Sequence, residues 1–145
     1  MSSHRTGSVI ATVLMTATAV AGCNHQLAAT SLKVGDCIAS PQGEEIRNVE
    51  PIDCAQPHGA EIYYVHTVEG QDFPGDEVLN GEAQRICAEQ FAAYVGVPVE
   101  QHDTLTTWFM TPTQESWSAG DHIIVCLAVN TDLTPLTGTV KGSAS

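Results

Sequence analysis

Residues 121–130 read Asp-His-Ile-Ile-Val-Cys-Leu-Ala-Val-Asn, and this stretch decides the fold. Its seven central residues, 123–129, are all apolar, and the first three are β-branched. A run this short, between Gly120 and Asn130, favours a strand that is buried on both faces. Because Cys126 lies at its centre, the strand also carries one end of a candidate disulfide. We therefore expect the rest of the chain to pack around it.

The composition is that of one globular domain with a strong acidic bias. The chain has 145 residues, of which 43% are hydrophobic and 15% are charged, and this is typical of a single folded domain. Its 17 acidic residues outnumber five lysines and arginines, so the formal net charge is −12 at pH 7. Nucleic acids and anionic membrane surfaces need clusters of lysine and arginine. The charge therefore argues against nucleic acid as a partner and predicts a solvated acidic surface.

The amino-terminal segment has the order of a bacterial lipoprotein signal. Arg5 precedes an apolar stretch over residues 9–21, which is long enough for a signal-peptide core but too short to span a bilayer. Residues 20–23 read Val-Ala-Gly-Cys, which resembles the lipobox of bacterial lipoproteins. The resemblance implies that residues 1–22 are removed and that Cys23 carries a diacylglycerol, with a further acyl chain such as palmitate on its amine. The alternative is an ordinary cleaved signal followed by a chance cysteine.

The lipoprotein interpretation divides the chain into four parts. Residues 1–22 are the signal peptide and residues 23–33 a lipid-anchored tether, followed by a folded domain over residues 34–130. Residues 131–145 form a C-terminal tail that we expect to be loose at its end. Because two acyl chains anchor a protein stably where one does not, the expected partner is the membrane, through the lipid on Cys23. The expected location is the extracytoplasmic face of the cell membrane.

Four further cysteines indicate two disulfides, because their number is even in a chain that we expect to be exported. They are Cys37, Cys54, Cys87 and Cys126. Zinc is the competing interpretation, but no two of them have the spacing of two to four residues that structural zinc sites use. Sequence alone leaves three connectivities open. We favour Cys37–Cys54 and Cys87–Cys126, because the second pair would join the main helix to the central strand.

Periodicity predicts an α+β domain, with a small antiparallel sheet, one main helix packed on a face, and a short second helix. Strands are predicted over residues 36–40, 46–53, 60–68 and 105–110. Within residues 60–68, strict alternation would place Ile62, Tyr64 and His66 on one face.

The main helix is predicted from apolar residues that recur at helical spacing, namely Leu79, Ala83, Ile86, Cys87, Phe91 and Tyr94. Asn80 is its expected N-cap, and Gly96 should end it in the left-handed conformation. The second helix is predicted to begin with a capping box over residues 111–114, with Pro112 at its first position and Trp117 in its body.

Several separate motifs resemble the septum-formation domain family of actinobacterial envelope proteins over roughly residues 34–129. The matching residues are Val34-Gly35-Asp36-Cys37, Cys54-Ala55-Gln56-Pro57-His58, Glu61, Phe73-Pro74-Gly75, Cys87, Phe91, Tyr94, Pro112, Trp117, Gly120-Asp121 and Cys126. The resemblance implies an extracytoplasmic, membrane-associated domain whose family name points to cell division. Many members carry a transmembrane anchor, whereas this chain has a lipobox.

The candidate binding or structural corner consists of His58 and Glu61, three residues apart at the start of a predicted strand. The pair could offer two ligands to a metal, or it could form buried hydrogen bonds that hold the loop beside Cys54. Because zinc needs at least three protein ligands, we favour the structural role and predict no metal and no cofactor. His66, His102 and His122 are scattered along the chain and do not complete a site.

No motif in the chain demonstrates a reaction. We find no nucleophile elbow, paired-histidine zinc-protease helix, phosphate loop or Ser-x-x-Lys. Trp108 and Trp117 are predicted core residues rather than stacking platforms for a sugar. The favoured function is therefore a non-enzymatic, lipid-anchored binding or scaffolding domain that contacts an envelope or division protein. The alternative is a ligand-binding or metal-binding envelope lipoprotein.

Overall fold

A computed structural model of the chain describes residues 27–39, 48–49 and 51–144. The expected signal peptide and the lipidation candidate Cys23 lie outside these residues. Among the helices that the structure describes, none has the length and apolar character needed to cross a bilayer.

The described strands form one antiparallel sheet and a separate two-stranded ribbon. The strands are β1 Leu27–Ala28, β2 Cys37–Ile38, β3 Asn48–Val49, β4 Pro51–Ile52, β5 Ala60–Thr67, β6 Leu105–Met110 and β7 Ile123–Asn130. The ribbon is β1 with β3, and the sheet has the order β4-β2-β5-β7-β6. β7 pairs with β5 on one side and with β6 on the other. The stretch that opens the sequence analysis is therefore an interior strand, as predicted.

The main helix, α1, spans Asp76–Val95 and begins earlier than expected. Gly75 precedes it as the N-cap, so the prediction of Asn80 as N-cap is wrong. Asp76 and Glu77 occupy the first turn, where the helix dipole favours negative charge, and this extends the helix toward its amino end. Gly96 ends α1 in the left-handed conformation, with φ 115°, as predicted.

The second helix, α2, spans Gln114–Ser118 and has a capping box two residues later than predicted. Thr113 is the N-cap, because its hydroxyl accepts the backbone N–H of Ser116 while the Ser116 hydroxyl accepts that of Thr113. Pro112 therefore lies before the N-cap and is not the first helical residue. The single buried residue of α2 is Trp117.

Two hydrophobic clusters lie on the two faces of the sheet. Alternation along β7 sends Ile124 and Cys126 to one cluster and Val125 and Leu127 to the other. The first cluster includes the buried face of α1, so the helix covers that face of the sheet. The second cluster also includes residues that lie outside the five-stranded sheet, among them Leu32.

A bulge in β5 changes the facing of its residues. The register of β5 against β7 shifts between Ile62 and Tyr64, which places one extra residue, Tyr63, on the bulged strand. Ile62 belongs to the second cluster, whereas Tyr63 is buried in the first and Tyr64 packs against it. The predicted common face for Ile62, Tyr64 and His66 is therefore wrong, because strict alternation does not continue through a bulge.

Both flanking segments pack on the domain. Of the segment expected as a tether, residues 27–33 are described; they include β1, and Leu32 is buried in the second cluster. After β7, Leu136 and Val140 are buried, and the backbone N–H of Ala144 donates to the carbonyl of Val95. The expectation of a tail that is loose at its end is wrong as far as Ala144.

The disulfides have the connectivity that we favoured. Cys37 is bonded to Cys54 and Cys87 to Cys126, with Cα–Cα distances of 5.3 and 5.4 Å. The second bond joins α1 to β7. In the loop-entropy model the two bonds contribute about 3 and about 4 kcal/mol to stability.

The difference in burial between the two disulfides predicts a fixed order of reduction. Cys87 and Cys126 are both 0% exposed, whereas Cys54 is partly exposed. Because a reductant must reach a sulfur atom, we expect the Cys37–Cys54 bond to open first in the folded protein. Timed reduction under native conditions, followed by alkylation and peptide mass spectrometry, measures the order. Loss of Cys87–Cys126 before or together with Cys37–Cys54 would contradict this prediction.

Candidate functional site

Within the described residues, two polar or charged side chains are buried, and both belong to the predicted corner. His58 is 1% exposed and Glu61 is 0% exposed. Glu61 lies in β5, and His58 lies just before it. A buried polar group is costly unless it is hydrogen-bonded, and a buried charge more so. The contacts of these two residues therefore decide what the corner can do.

Three donors surround the Glu61 carboxylate. Oε1 accepts hydrogen bonds from the hydroxyls of Tyr94 and Thr139, both at 2.7 Å. Oε2 accepts the backbone N–H of Val140, also at 2.7 Å. Short hydrogen bonds of this kind are typical of an ionised acceptor. The carboxylate thereby ties β5 to α1 and to the segment that follows β7.

Tyr94 is held in its protonated form, which can donate a hydrogen bond. Burial, followed by its hydrogen bond to Glu61 and the charge of that residue, raises the pKa of Tyr94 to about 12. The phenol therefore keeps its proton throughout the neutral range and remains a donor to Oε1. The ammonium of Lys141 lies 5.9 Å from the centre of the Tyr94 ring, close enough for a cation–π contact.

The ring of His58 has a fixed tautomer and one free nitrogen. Nδ1 lies 2.8 Å from the carbonyl oxygen of Gln56. Because a carbonyl oxygen only accepts, Nδ1 carries the proton and donates it. In the neutral ring the lone pair is then on Nε2, which is buried and has no hydrogen-bond partner in the described part of the chain.

Cys37 is the third member of the corner. It lies directly opposite Glu61 where β2 pairs with β5, so their side chains are cross-strand neighbours on one face. The ligand atoms of Cys37, His58 and Glu61 all lie within 4.8 Å of one another. The Cys37 sulfur is bonded to that of Cys54.

The backbone of the segment after β7 completes the corner. His58 and Leu136 exchange two backbone hydrogen bonds, of 3.0 and 2.8 Å, and the N–H of Gly138 donates to the carbonyl of Cys54 at 2.7 Å. His58 through its backbone and Glu61 through its carboxylate therefore both contact this segment. Nε2 of His58 takes no part in these contacts.

Sequence reasoning found two members of the corner and missed the others. Tyr94 was expected only as a core residue, and Thr139 and Val140 only as part of the tail. The cross-strand pairing of Cys37 with Glu61 requires the strand register, which the sequence does not contain. The available signal was the occurrence of Cys37, His58, Glu61 and Tyr94 among the residues of the family resemblance.

The other three histidines in the described residues have separate partners and do not join the corner. His66 pairs with Glu82 at 3.1 Å, and His102 accepts the backbone N–H of Leu105 at 3.0 Å. His122 stacks on Trp117, with ring centres 3.9 Å apart.

The two tryptophans differ. Trp117 is 4% exposed and donates from its indole N–H to the carbonyl of Gln71 at 3.0 Å, so its prediction as a core residue is confirmed. Trp108 is 36% exposed, so the same prediction for it is wrong. It lies in β6, which is the last strand of the sheet on that side.

An open groove of about 390 Å³ lies where β6 begins and β7 ends. Its lining residues are Asp103, Thr104, Asn130, Thr131, Asp132 and Thr134. Hydrogen bonds from Thr134 lower the pKa of Asp132, and this carboxylate is therefore occupied by its own loop. We assign no ligand to the groove.

Comparison with known proteins identifies a family. A family model described as septum formation matches residues 9–126. Two relatives from Mycobacterium tuberculosis, one from strain CDC 1551 and one from strain H37Rv, are both described as uncharacterized membrane proteins. Each is 32% identical to this chain over 79 residues, which is 52% of this chain and 18% of the relative.

These relatives are much longer than the region they share with this chain. The chain spans about a fifth of the length of each. No solved structure matches it significantly.

The hydrogen bond from Thr139 to Glu61 can be removed with almost no change in the shape of the side chain at position 139. Thr139→Val deletes the hydroxyl and leaves a buried carboxylate with one donor fewer. We expect a loss of about 1.5–3 kcal/mol in the free energy of unfolding, the range for hydrogen bonds to charged groups. Urea denaturation measures the change.

Thr137→Val is the matched control, because Thr137 is exposed and lies two residues earlier in the same segment. We expect it to change the free energy of unfolding by less than about 0.5 kcal/mol. Equal effects of the two variants would mean that the Glu61 hydrogen bond is not what holds the segment.

Proposed function

The chain belongs to the septum formation family, and on this premise we propose that it is a lipid-anchored, extracytoplasmic domain that binds a protein partner in the cell envelope. The proposed role is non-enzymatic, because pairing with a partner strand needs no reacting group. Family membership and the membrane-protein relatives support a role in the envelope. A partner from the division machinery is the specific form of the proposal that the family description favours.

The observation that carries the proposal is the free edge of β6. The sheet ends at β6, and no described strand pairs with its outer side. Such an edge presents unpaired backbone N–H and C=O groups, on which an extended segment of a partner can add as a further strand. Proteins that avoid this pairing place lysine or proline on the edge. β6 reads Leu-Thr-Thr-Trp-Phe-Met and has neither.

Trp108 gives this edge a side chain that can anchor a partner. It is one of four large hydrophobic residues exposed among those described, and the only aromatic one. Tryptophan is enriched among the residues that contribute most to protein–protein binding, because it buries a large area with few rotatable bonds. The opposite side of β6 is rigid, since it pairs with β7 over six residue positions.

The anchor part of the proposal rests on the resemblance of residues 20–23 to a lipobox. Cys23 precedes β1 by four residues, and four extended residues reach at most about 14 Å. A lipid on Cys23 would therefore hold the domain against the outer surface of the membrane.

Cys23→Ala tests the anchor. We expect the variant to leave the membrane fraction and to lose incorporation of labelled palmitate, because the thiol that would accept the lipid is absent. Cell fractionation and metabolic labelling measure both. Gln26→Ala, three residues away, should behave as the unchanged protein. If Cys23→Ala still sediments with membranes, the lipid is not the anchor.

Trp108→Lys tests the binding edge. A photo-crosslinker at Thr106 would capture in cells whatever lies along β6. We expect the lysine to weaken binding by about 30-fold, equivalent to about 2 kcal/mol for a residue of this importance, and to abolish the crosslinked product. The melting temperature should change little, because the side chain is already exposed.

Val78→Lys is the matched control, because Val78 is an exposed apolar residue on α1, outside the sheet edge. It should leave the crosslinked product intact. Two results would count against β6 as the binding edge. One is an undiminished crosslinked product from Trp108→Lys, and the other is equal loss of that product from Trp108→Lys and Val78→Lys.

A further inference from the structure

The corner has two features that its structural role leaves unused. One is the buried Nε2 of His58, which has no partner. The other is the buried sulfur of Cys37, which is 2% exposed and lies beside both His58 and Glu61. Buried polar atoms without partners are rare, and each calls for an explanation. Nitrogen, sulfur and carboxylate oxygen converging on one point are the ligand types that zinc prefers.

The His58 ring has the arrangement of a metal-binding histidine. In such residues one ring nitrogen donates to a carbonyl or carboxylate, which fixes the tautomer and presents the other nitrogen to the metal. Here Nδ1 donates to the carbonyl of Gln56 at 2.8 Å, and Nε2 carries the free lone pair.

The Glu61 carboxylate also retains one free acceptor position. Each carboxylate oxygen has two lone pairs. Oε1 already accepts from Tyr94 and Thr139, whereas among the described residues Oε2 accepts only from Val140. The remaining lone pair of Oε2 can bind a metal. The three hydrogen bonds would fix the orientation of the carboxylate, as hydrogen bonds to the ligands do in known metal sites.

Cys37 cannot act as a ligand while it is in a disulfide. The thiolate is the form of cysteine that binds metals, and a disulfide sulfur is not a thiolate. With the bond intact, His58 and Glu61 supply two ligands, fewer than the three that zinc needs. Opening the Cys37–Cys54 bond would supply the third.

We propose that Cys37, His58 and Glu61 form a zinc site that exists only while the Cys37–Cys54 disulfide is reduced. The ligand atoms are Sγ of Cys37, Nε2 of His58 and Oε2 of Glu61. The fourth position is left for water, as in zinc sites with three protein ligands. This proposal does not depend on the proposed binding of a partner at β6.

The charges of the reduced site support a divalent cation. A thiolate at Cys37 beside an ionised Glu61 would place two negative charges in a buried position, which is costly without compensation. Zn²⁺ with one thiolate, one carboxylate and a neutral imidazole gives no net charge. The metal therefore provides the compensation that opening the disulfide makes necessary.

The dimensions also suit zinc. Ligand atoms about 2.0–2.3 Å from a tetrahedral zinc lie roughly 3.3–3.8 Å from one another. In the oxidised form the Cys37 sulfur, a ring nitrogen of His58 and a carboxylate oxygen of Glu61 lie within 4.8 Å of one another. Side-chain rotation by about 1 Å would bring them to binding distance, and release of Cys37 from Cys54 permits that movement.

Reduction of the Cys37–Cys54 disulfide requires an external dithiol and proceeds by thiol–disulfide exchange. One thiolate of the dithiol attacks the more exposed sulfur, that of Cys54, and Cys37 leaves as a thiolate. The second thiol of the reductant then attacks the mixed disulfide and releases Cys54. Two electrons pass from the dithiol to the cystine, and the reductant leaves as a disulfide. Of the two protons that the dithiol gives up, one goes to Cys54 and the other to solvent, because zinc binding keeps Cys37 as a thiolate.

Cys54→Ser tests the site without a reductant, because it frees Cys37 in an otherwise oxidised protein. We expect this variant to bind one Zn²⁺ per chain. The oxidised unchanged protein should bind Zn²⁺ at least about 100-fold more weakly, which exceeds the usual effect of changing a residue that only contacts a metal ligand. Competition with a chromophoric chelator measures the affinity. Co²⁺ in place of Zn²⁺ should show a thiolate-to-metal charge-transfer band, which reports sulfur ligation directly.

Cys37→Ser is the matched control for the free thiol. It breaks the same disulfide but leaves the thiol on Cys54, which is not among the converging atoms. We expect it to bind Zn²⁺ at least about 100-fold more weakly than Cys54→Ser.

His58→Asn is the matched test of the histidine. An asparagine amide can replace Nδ1 as the donor to Gln56 but has no equivalent of Nε2. Added to Cys54→Ser, it should weaken Zn²⁺ binding by about 100-fold, whereas His66→Asn in the same background should leave binding unchanged.

Two results would overturn the proposal. One is equal Zn²⁺ affinity in Cys54→Ser and Cys37→Ser, because the position of the thiol would then not matter. The other is equally tight binding by the oxidised unchanged protein. If Cys54→Ser does not fold, the unchanged protein can be reduced under native conditions with a phosphine. Zn²⁺ should then slow alkylation of Cys37 relative to Cys54, and equal rates would reject the site.

Discussion

The burial of the Glu61 carboxylate constrains three parts of this structure at once. An ionised carboxylate that is 0% exposed is unfavourable by several kcal/mol unless donors surround it. Its donors come from α1, through Tyr94, and from the segment after β7, through Thr139 and Val140. The charge is therefore satisfied only when the sheet, the main helix and the C-terminal segment are all in place. This requirement explains why a segment rich in threonine, serine and glycine is packed against the domain.

The same corner connects the Cys37–Cys54 bond to the C-terminal segment. Gly138 donates its backbone N–H to the carbonyl of Cys54, and Leu136 exchanges two backbone hydrogen bonds with His58. Residues 54–58 are thus held on one side by the disulfide and on the other by this segment. The disulfide and the C-terminal segment are therefore linked directly, through backbone hydrogen bonds of 2.7–3.0 Å.

Local features of the sequence predicted much of the fold, whereas features that depend on pairing between distant segments could not be predicted. The apolar run of β7 and the left-handed Gly96 are encoded in a few adjacent residues, and both are observed. The bulge at Tyr63 depends on how β5 meets β7, and no local pattern encodes it. The candidate site divides in the same way. His58 and Glu61 are three residues apart and could be found, but their partners lie in other elements.

The two proposed activities are separated by the architecture of the sheet. The corner lies at β2 and β5, whereas the free edge is β6, and β7 stands between them. The disulfide that stabilises the edge is Cys87–Cys126, which joins α1 to β7 and is fully buried. Opening Cys37–Cys54 would leave this bond and the β6–β7 pairing intact. A change at the corner should therefore act on the amino-terminal side of the domain, where a lipid would attach, and on the C-terminal segment. Binding along β6 should continue in either redox state, because the strand that supports it is held by the other disulfide.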